Sequence, residues 1–266
     1  MMTPQGLAEW YQALAKTMLL PGALLDQFAI GLTGRAPLPP APLRWRVHGT
    51  PDLASFLEVG DRCAQDIAKA LRQVGRDFAE FRRILDFGCG CGRVLMPVRR
   101  LAPAAQCQGT DLDGEAIAWC AANLPGCEFT VNGPEPPLPF DAGRFDLVYA
   151  ISVFTHLDEA SQFRWLAELQ RLTQPGGILL VTVHGSACWN GWPRDQSEAV
   201  RRKGILLVQE PVMEVFAPYC AQNTYHTREY VIEQYSRYFR VLDYLPAAMN
   251  RHQDVVLLER GASTAA

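Results

Sequence analysis

At 266 residues the chain can fold as one large α/β domain with an added cap. Its 25 basic and 28 acidic side chains nearly cancel, so nucleic acid finds no basic footprint and is not expected as a partner. Apolar residues reach 48%, enough for a sizeable core, yet they never run for the roughly 18 positions that a membrane span needs.

Residues 1–50 read as an N-terminal helical and Pro-rich cap. The opening stretch has no basic n-region, and Glu9 and Lys16 interrupt its apolar residues, so it reads as an amphipathic helix rather than an export leader. A cytoplasmic protein is expected on that ground. The following GLTGRAPLPPAPLRW must be extended, because proline fixes φ and lacks a donor.

Residues 51–266 read as the main domain. A helix is predicted from Asp52 to about Val74, with Phe56, Leu57, Ile67, Ala68 and Leu71 on one side. RRILDF is a short apolar run ending in glycines, the pattern of a buried parallel strand. A helix then runs to Leu101, CQGTDL is the second strand, and DGEAIAWCAANL is a helix closed by Pro125 and Gly126. CEFTVN and RFDLVYAIS are the third and fourth strands, DEASQFRWLAELQRL is a helix, and GGILLVTVHG is the fifth strand. Steady alternation of strand and helix implies right-handed crossovers and a doubly wound, mostly parallel sheet. Residues 185–226 lose the rhythm and collect Trp189, Trp192, Pro193, Pro211, Pro218 and Tyr219, so they are predicted to form an inserted cap or lid. After a further helix, FRVLDYL and HQDVVLLER lie close enough to pair antiparallel, which completes a seven-stranded sheet with a reversed C-terminal hairpin.

Eight cysteines are present, and only Cys89 and Cys91 stand close together. That spacing matches neither the CxxC of redox sites nor the paired knuckles of structural zinc. The cysteines read as reduced thiols packed as small apolar side chains, and no metal site is expected.

The strongest motif is Asp86-Phe87-Gly88-Cys89-Gly90-Cys91-Gly92, directly after a strand and opening a helix. Glycines there let the backbone turn tightly beside a ligand, and the helix that follows directs N–H groups at the same crevice. The nicotinamide pattern G-x-G-x-x-G fails, because Arg93 or Leu95 stands where its last glycine belongs. Asp111 ends the second strand, 23 residues after Gly88, where a carboxylate can accept from both hydroxyls of a ribose. Leu112 beside it can press against a base.

These segments resemble the successive motifs of class I S-adenosylmethionine (SAM)-dependent methyltransferases. DFGCGCG, GTDLD, LPFDAGRFDLVYAISVFTHL and LAELQRLTQPGGILLVTVH carry the likeness in order and spacing over roughly residues 80–185. The resemblance implies SAM as cofactor, with Asp86, Gly88, Cys89, Gly90 and Gly92 around the methionine portion, Asp111 on ribose and Leu112 against adenine. Where the family commonly has an Asp at the adenine edge, this chain has Asn132-Gly133, and an Asn can both donate and accept there. Ile151, ending the fourth strand, is expected near the sulfonium.

Methyl transfer from a sulfonium asks the protein to align acceptor, methyl and sulfur and to keep water out. A general base is needed only for a weakly acidic acceptor. His156 is the first candidate base and His184 the second, with His226 behind them; His48 and His252 have no claim. The insert 185–226 emerges on the ligand side of the sheet and, with helices around Trp10 and Tyr11, is placed to roof a small-molecule acceptor such as a sugar or natural product. Its tryptophans suit equally a staple to the body or a homodimer contact. The alternatives are a methyltransferase acting on protein or nucleic acid, although AISV stands where nucleic-acid amino-methylating enzymes carry an NPPY-like tetrapeptide, or a non-catalytic SAM-binding regulator.

Overall fold

Successive residues along each central strand face two different helical layers. Ile84, Leu147, Ile178, Leu180 and Leu257 pack into one buried cluster, whereas Leu85, Val148, Leu179, Val181 and Leu258 pack into another. A strand buried on both faces has no polar side to alternate with, hence the continuous apolar runs in the sequence.

The computed structural model describes residues 38–209 and 221–262. The seven-stranded sheet has the order β3-β2-β1-β4-β5-β9-β8. Its strands are β1 (Arg83–Phe87), β2 (Gln106–Asp111), β3 (Cys127–Val131), β4 (Phe145–Ala150), β5 (Thr173–Val183), β8 (Arg240–Met249) and β9 (Gln253–Glu259). β1 to β5 are parallel, and β9 runs antiparallel to both β5 and β8. The predicted doubly wound sheet with a reversed C-terminal hairpin is the observed one.

The helices are α1 (Ala41–His48), α2 (Leu53–Gln73), α3 (Leu95–Leu101), α4 (Gly114–Asn123), α5 (Glu159–Leu172), α6 (Ser186–Trp189), α7 (Arg194–Lys203) and α8 (Arg228–Tyr235). α2 starts where Asp52 accepts the Ser55 N–H at 2.7 Å, an N-cap, and it buries Phe56, Cys63, Ile67 and Leu71 along one stripe. On the opposite face of the sheet α5 contributes Trp165, Leu166 and Leu169. Leu43 of α1 joins Phe56, Cys91 and Ala116 in a small third cluster, which seats α1 across the glycine turn. The end of the Pro-rich stretch is tied down there: the buried Arg44 guanidinium donates to the carbonyls of Pro39 (2.6 Å) and Pro51 (2.8 Å). Trp10 and Tyr11 lie outside the described residues, as do Pro211, Pro218 and Tyr219.

The insert holds structure that the broken rhythm hid. α6, α7 and an antiparallel pair, β6 (Ile205–Gln209) with β7 (Gln222–His226), occupy its described part. β7 reads QNTYH, too polar to announce a strand, yet it is held along its length by β6 and at His184 by a bridge to Tyr225. Trp189 is buried and its indole N–H donates to the His226 carbonyl at 3.1 Å, while Trp192 packs edge-on against Tyr225. Both tryptophans thus tie the first part of the insert to its last strand, β7.

Candidate cofactor and acceptor site

The carboxyl ends of β1, β2, β3 and β4 open into a cavity of about 530 Å³, the place where parallel α/β sheets hold ligands. Its floor is the turn after β1. Gly88 and Gly90 have φ of 80° and 53°, a region that disfavours side chains. Added Cβ atoms there would lie 2.3 Å from Val153 and 2.5 Å from Val47, so the bare backbone is required twice over. The N–H groups of Gly88 and Cys89 both donate to the Thr110 carbonyl, at 2.8 and 2.9 Å, which locks the turn to β2. Gly92 faces Leu124 of the neighbouring segment instead of the cavity.

Asp111, at the end of β2, holds the same turn from the other side. Its Oδ2 accepts the Gly90 N–H at 2.7 Å and its Oδ1 accepts the Asp113 N–H at 2.8 Å. Each carboxylate oxygen keeps a second lone pair for a hydroxyl donor. Burial raises the Asp111 carboxyl above the usual range, against the pull of these backbone bonds. Asp86 is more extreme: it is buried and accepts the Tyr149 hydroxyl at 3.0 Å. Burial pushes it up to about 8, with the Tyr149 bond pulling down and Asp111 pushing up.

Asn132 lies at the β3 end of the cavity with Leu112 and Gly133. Its Nδ2 donates to the Gly133 carbonyl at 2.8 Å, and its buried Oδ1 has no protein partner. A buried acceptor left unpaired calls for a donor from a ligand. Ile151 lines the middle of the cavity beside Ser152, a non-glycine residue held at φ 58° by its N–H bond to Thr182 Oγ1.

Of the three histidine candidates the structure brings only His156 to the cavity lining. It sits on a short 3₁₀ turn after β4, and Nδ1 lies 2.9 Å from the Gln222 carbonyl. A carbonyl can only accept, so the proton is on Nδ1 and the basic nitrogen is Nε2. His184 lies behind that wall, stacked on Tyr225, and burial, then His156 and His252, drive it down to about 3. His226 is fully buried against Gln162 and is likewise pushed down by burial to about 3. These two are neutral across the physiological range.

Residues 84–177 match the family profile described as a methyltransferase domain. Over that segment the chain is similar to methyltransferase domains. Phthiotriol/phenolphthiotriol dimycocerosates methyltransferase 1 of Mycobacterium ulcerans is 32% identical over 53% of this chain and 52% of that protein. Fatty-acid O-methyltransferase of Mycolicibacterium smegmatis is 34% identical over 39% of this chain and 37% of that one. The chain thus spans about half, or less, of the length of the curated relatives it matches. In fold it is similar to an S-adenosylmethionine dependent methyltransferase from Mesorhizobium loti, with a TM-score of 0.55 at 15% identity, over 72% of this chain and 96% of that one.

The domain's cavity also uses residues that the motif reading did not single out. Arg46, on α1, pairs with Asp113 at 2.7 Å and closes the crevice from above. Arg93 lines the cavity with its Nε buried and unpartnered, and its NH1 lies 2.9 Å from His48 Nδ1. His48, given no role from sequence, therefore positions Arg93. The insert adds Ala221 and Gln222 to the lining.

Proposed function

We propose that this chain is a SAM-dependent methyltransferase acting on a small-molecule acceptor. The observation that carries the reading is the unpaired Asn132 Oδ1, which shares one cavity with the bare glycine turn and the Asp111 carboxylate. In this assignment Asp111 accepts the ribose hydroxyls, Leu112 packs on the adenine face, and Asn132 Oδ1 accepts the exocyclic amine. The backbone of Gly88 and Gly90 lies along the methionine portion, and Arg93 takes its carboxylate. Asp86 sits near the positive charge, which favours its ionised form. Bound SAM supplies both the methyl group and its leaving group.

What remains for the chain is alignment, exclusion of water and one proton. α1 and the insert cover the cavity, and His156 Nε2 accepts the proton of a hydroxyl acceptor held beside Ile151. One relative named above is a fatty-acid O-methyltransferase and the other a phthiotriol/phenolphthiotriol dimycocerosates methyltransferase, which supports an apolar acceptor bearing an oxygen. Roofing by α1 and the insert fits such a molecule better than a macromolecule.

Purified chain is tested by calorimetry with SAM and with S-adenosylhomocysteine, followed by turnover on a panel of small lipids, phenols and sugars. Saturable binding with S-adenosylhomocysteine release on panel members is the expected result. Failure to bind either nucleoside overturns the cofactor reading. Binding without turnover on any small acceptor overturns the acceptor reading.

A further inference from the structure

Behind the His156 side of the cavity, three side chains from three separate elements converge. His184 follows β5, Cys188 lies on α6, and His252 is in the turn between β8 and β9. Each offers a ligand atom, and these atoms all lie within 4.8 Å of one another. Cys188 Sγ is 3.8 Å from both ring nitrogens of His252, and the His184 and His252 rings are 5.7 Å apart. None of the three is needed for the methyl-transfer reading.

We propose that His184, Cys188 and His252 form a binding site for a zinc ion. Two imidazoles and one thiolate are a borderline-soft donor set, suited to Zn2+ and poorly suited to Mg2+ or Ca2+. Tetrahedral zinc, with bonds of about 2.3 Å to sulfur and 2.0 Å to nitrogen, places its ligand atoms roughly 3.3 to 3.6 Å apart. The Cys188–His252 spacing is within a few tenths of an ångström of that. Closing the remainder takes rotation of the exposed His252 and of the half-exposed Cys188, whose thiol here donates to the His252 carbonyl at 3.2 Å.

An independent observation concerns His184. It is buried, yet its Nδ1 has no hydrogen-bond partner. The ring otherwise stacks on Tyr225 and stands edge-on to His252. A buried imidazole nitrogen without a protein partner, beside two other donor atoms, fits a metal-binding histidine. Burying an unpaired nitrogen is otherwise costly.

The consequence is mechanical. A zinc ion there cross-links the end of the central strand, the start of the insert and the β8–β9 turn. It staples the acceptor-side insert to the sheet with three protein ligands and leaves a fourth position for water.

The full chain, stripped with a chelator and freed of any affinity tag, is titrated with Zn2+ against a chromogenic chelator and with Co2+ as a spectroscopic probe. Uptake of one equivalent is expected, with a thiolate-to-cobalt charge-transfer band in the near ultraviolet. Cys188→Ser should abolish that band, and His252→Ala should weaken zinc binding by more than about tenfold, the loss typical even of outer-sphere changes. Both positions are partly or fully exposed, so folding of the variants is checked by circular dichroism and is expected to hold. A charge-transfer band that survives Cys188→Ser, or zinc affinity unchanged in His252→Ala, overturns the site. So does the absence of saturable zinc uptake by the unmodified chain.

Discussion

The N–H of Gly90 donates to the Asp111 carboxylate at 2.7 Å, which joins the turn after β1 to the end of β2 before any ligand arrives. The two halves of the crevice are thereby preorganised, and loss of the carboxylate has two effects. Asp111→Ala removes the proposed ribose acceptor and also leaves the Gly90 N–H unpaired. SAM affinity is expected to fall by about 1–3 kcal/mol in calorimetry. Asp111→Asn, which can still accept from Gly90, should lose less.

Asp86 gives a pH dependence whose sign is definite. Its folded-state pKa of about 8 lies above the ordinary 3.8, so the folded chain holds a proton that the unfolded chain releases. Stability from this group is full below about pH 4 and is lost as the pH rises towards 8. Asp86→Asn keeps an acceptor for Tyr149 and should flatten this decline, with a gain of about 1–3 kcal/mol at pH 8. Thermal denaturation of both proteins across that window is the check. SAM, a cation, is expected to bind more tightly as Asp86 ionises, and this part of the pH profile should vanish in Asp86→Asn.

Asn132 Oδ1 can be tested by chemistry on the ligand as well as on the protein. Replacing the adenine amine of S-adenosylhomocysteine by an oxo group removes the donor. The wild type should lose about 1–2 kcal/mol on that exchange, whereas Asn132→Ala should scarcely distinguish the two nucleosides. Equal discrimination by both proteins would remove Asn132 from the adenine edge.

His156→Ala is expected to leave SAM affinity near normal and to reduce turnover on a hydroxyl acceptor by about 10²–10⁴-fold. Single-turnover kinetics with saturating SAM separates this from a binding defect. Loss of cofactor affinity in the variant would instead make His156 a cofactor contact.

How much of this was legible depends on how far apart in the chain the cooperating residues lie. Ile84, Leu147 and Ile178 announce buried strands because each sits in a local apolar run. Asp86, Gly88 and Asp111 fall within one β–α–β unit, so their spacing carries the geometry. Arg93 depends on His48, which lies 45 positions earlier on a different element. Cys188 and His252 are 64 positions apart, and no spacing rule joins them. The strand Gln222–His226 was hidden for a related reason: its stability comes from its partner β6 and from His184, not from its own apolar content.

The imidazole of His156 takes its tautomer from the main-chain carbonyl of position 222, while the Gln222 side chain donates to the His156 carbonyl at 2.8 Å. An anchor made of backbone is indifferent to which amino acid occupies the position. In the proposed assignment the insert can therefore change its lining, and with it the molecules admitted, while the ring beneath keeps its tautomer. Selectivity and proton transfer in this architecture are free to diverge independently.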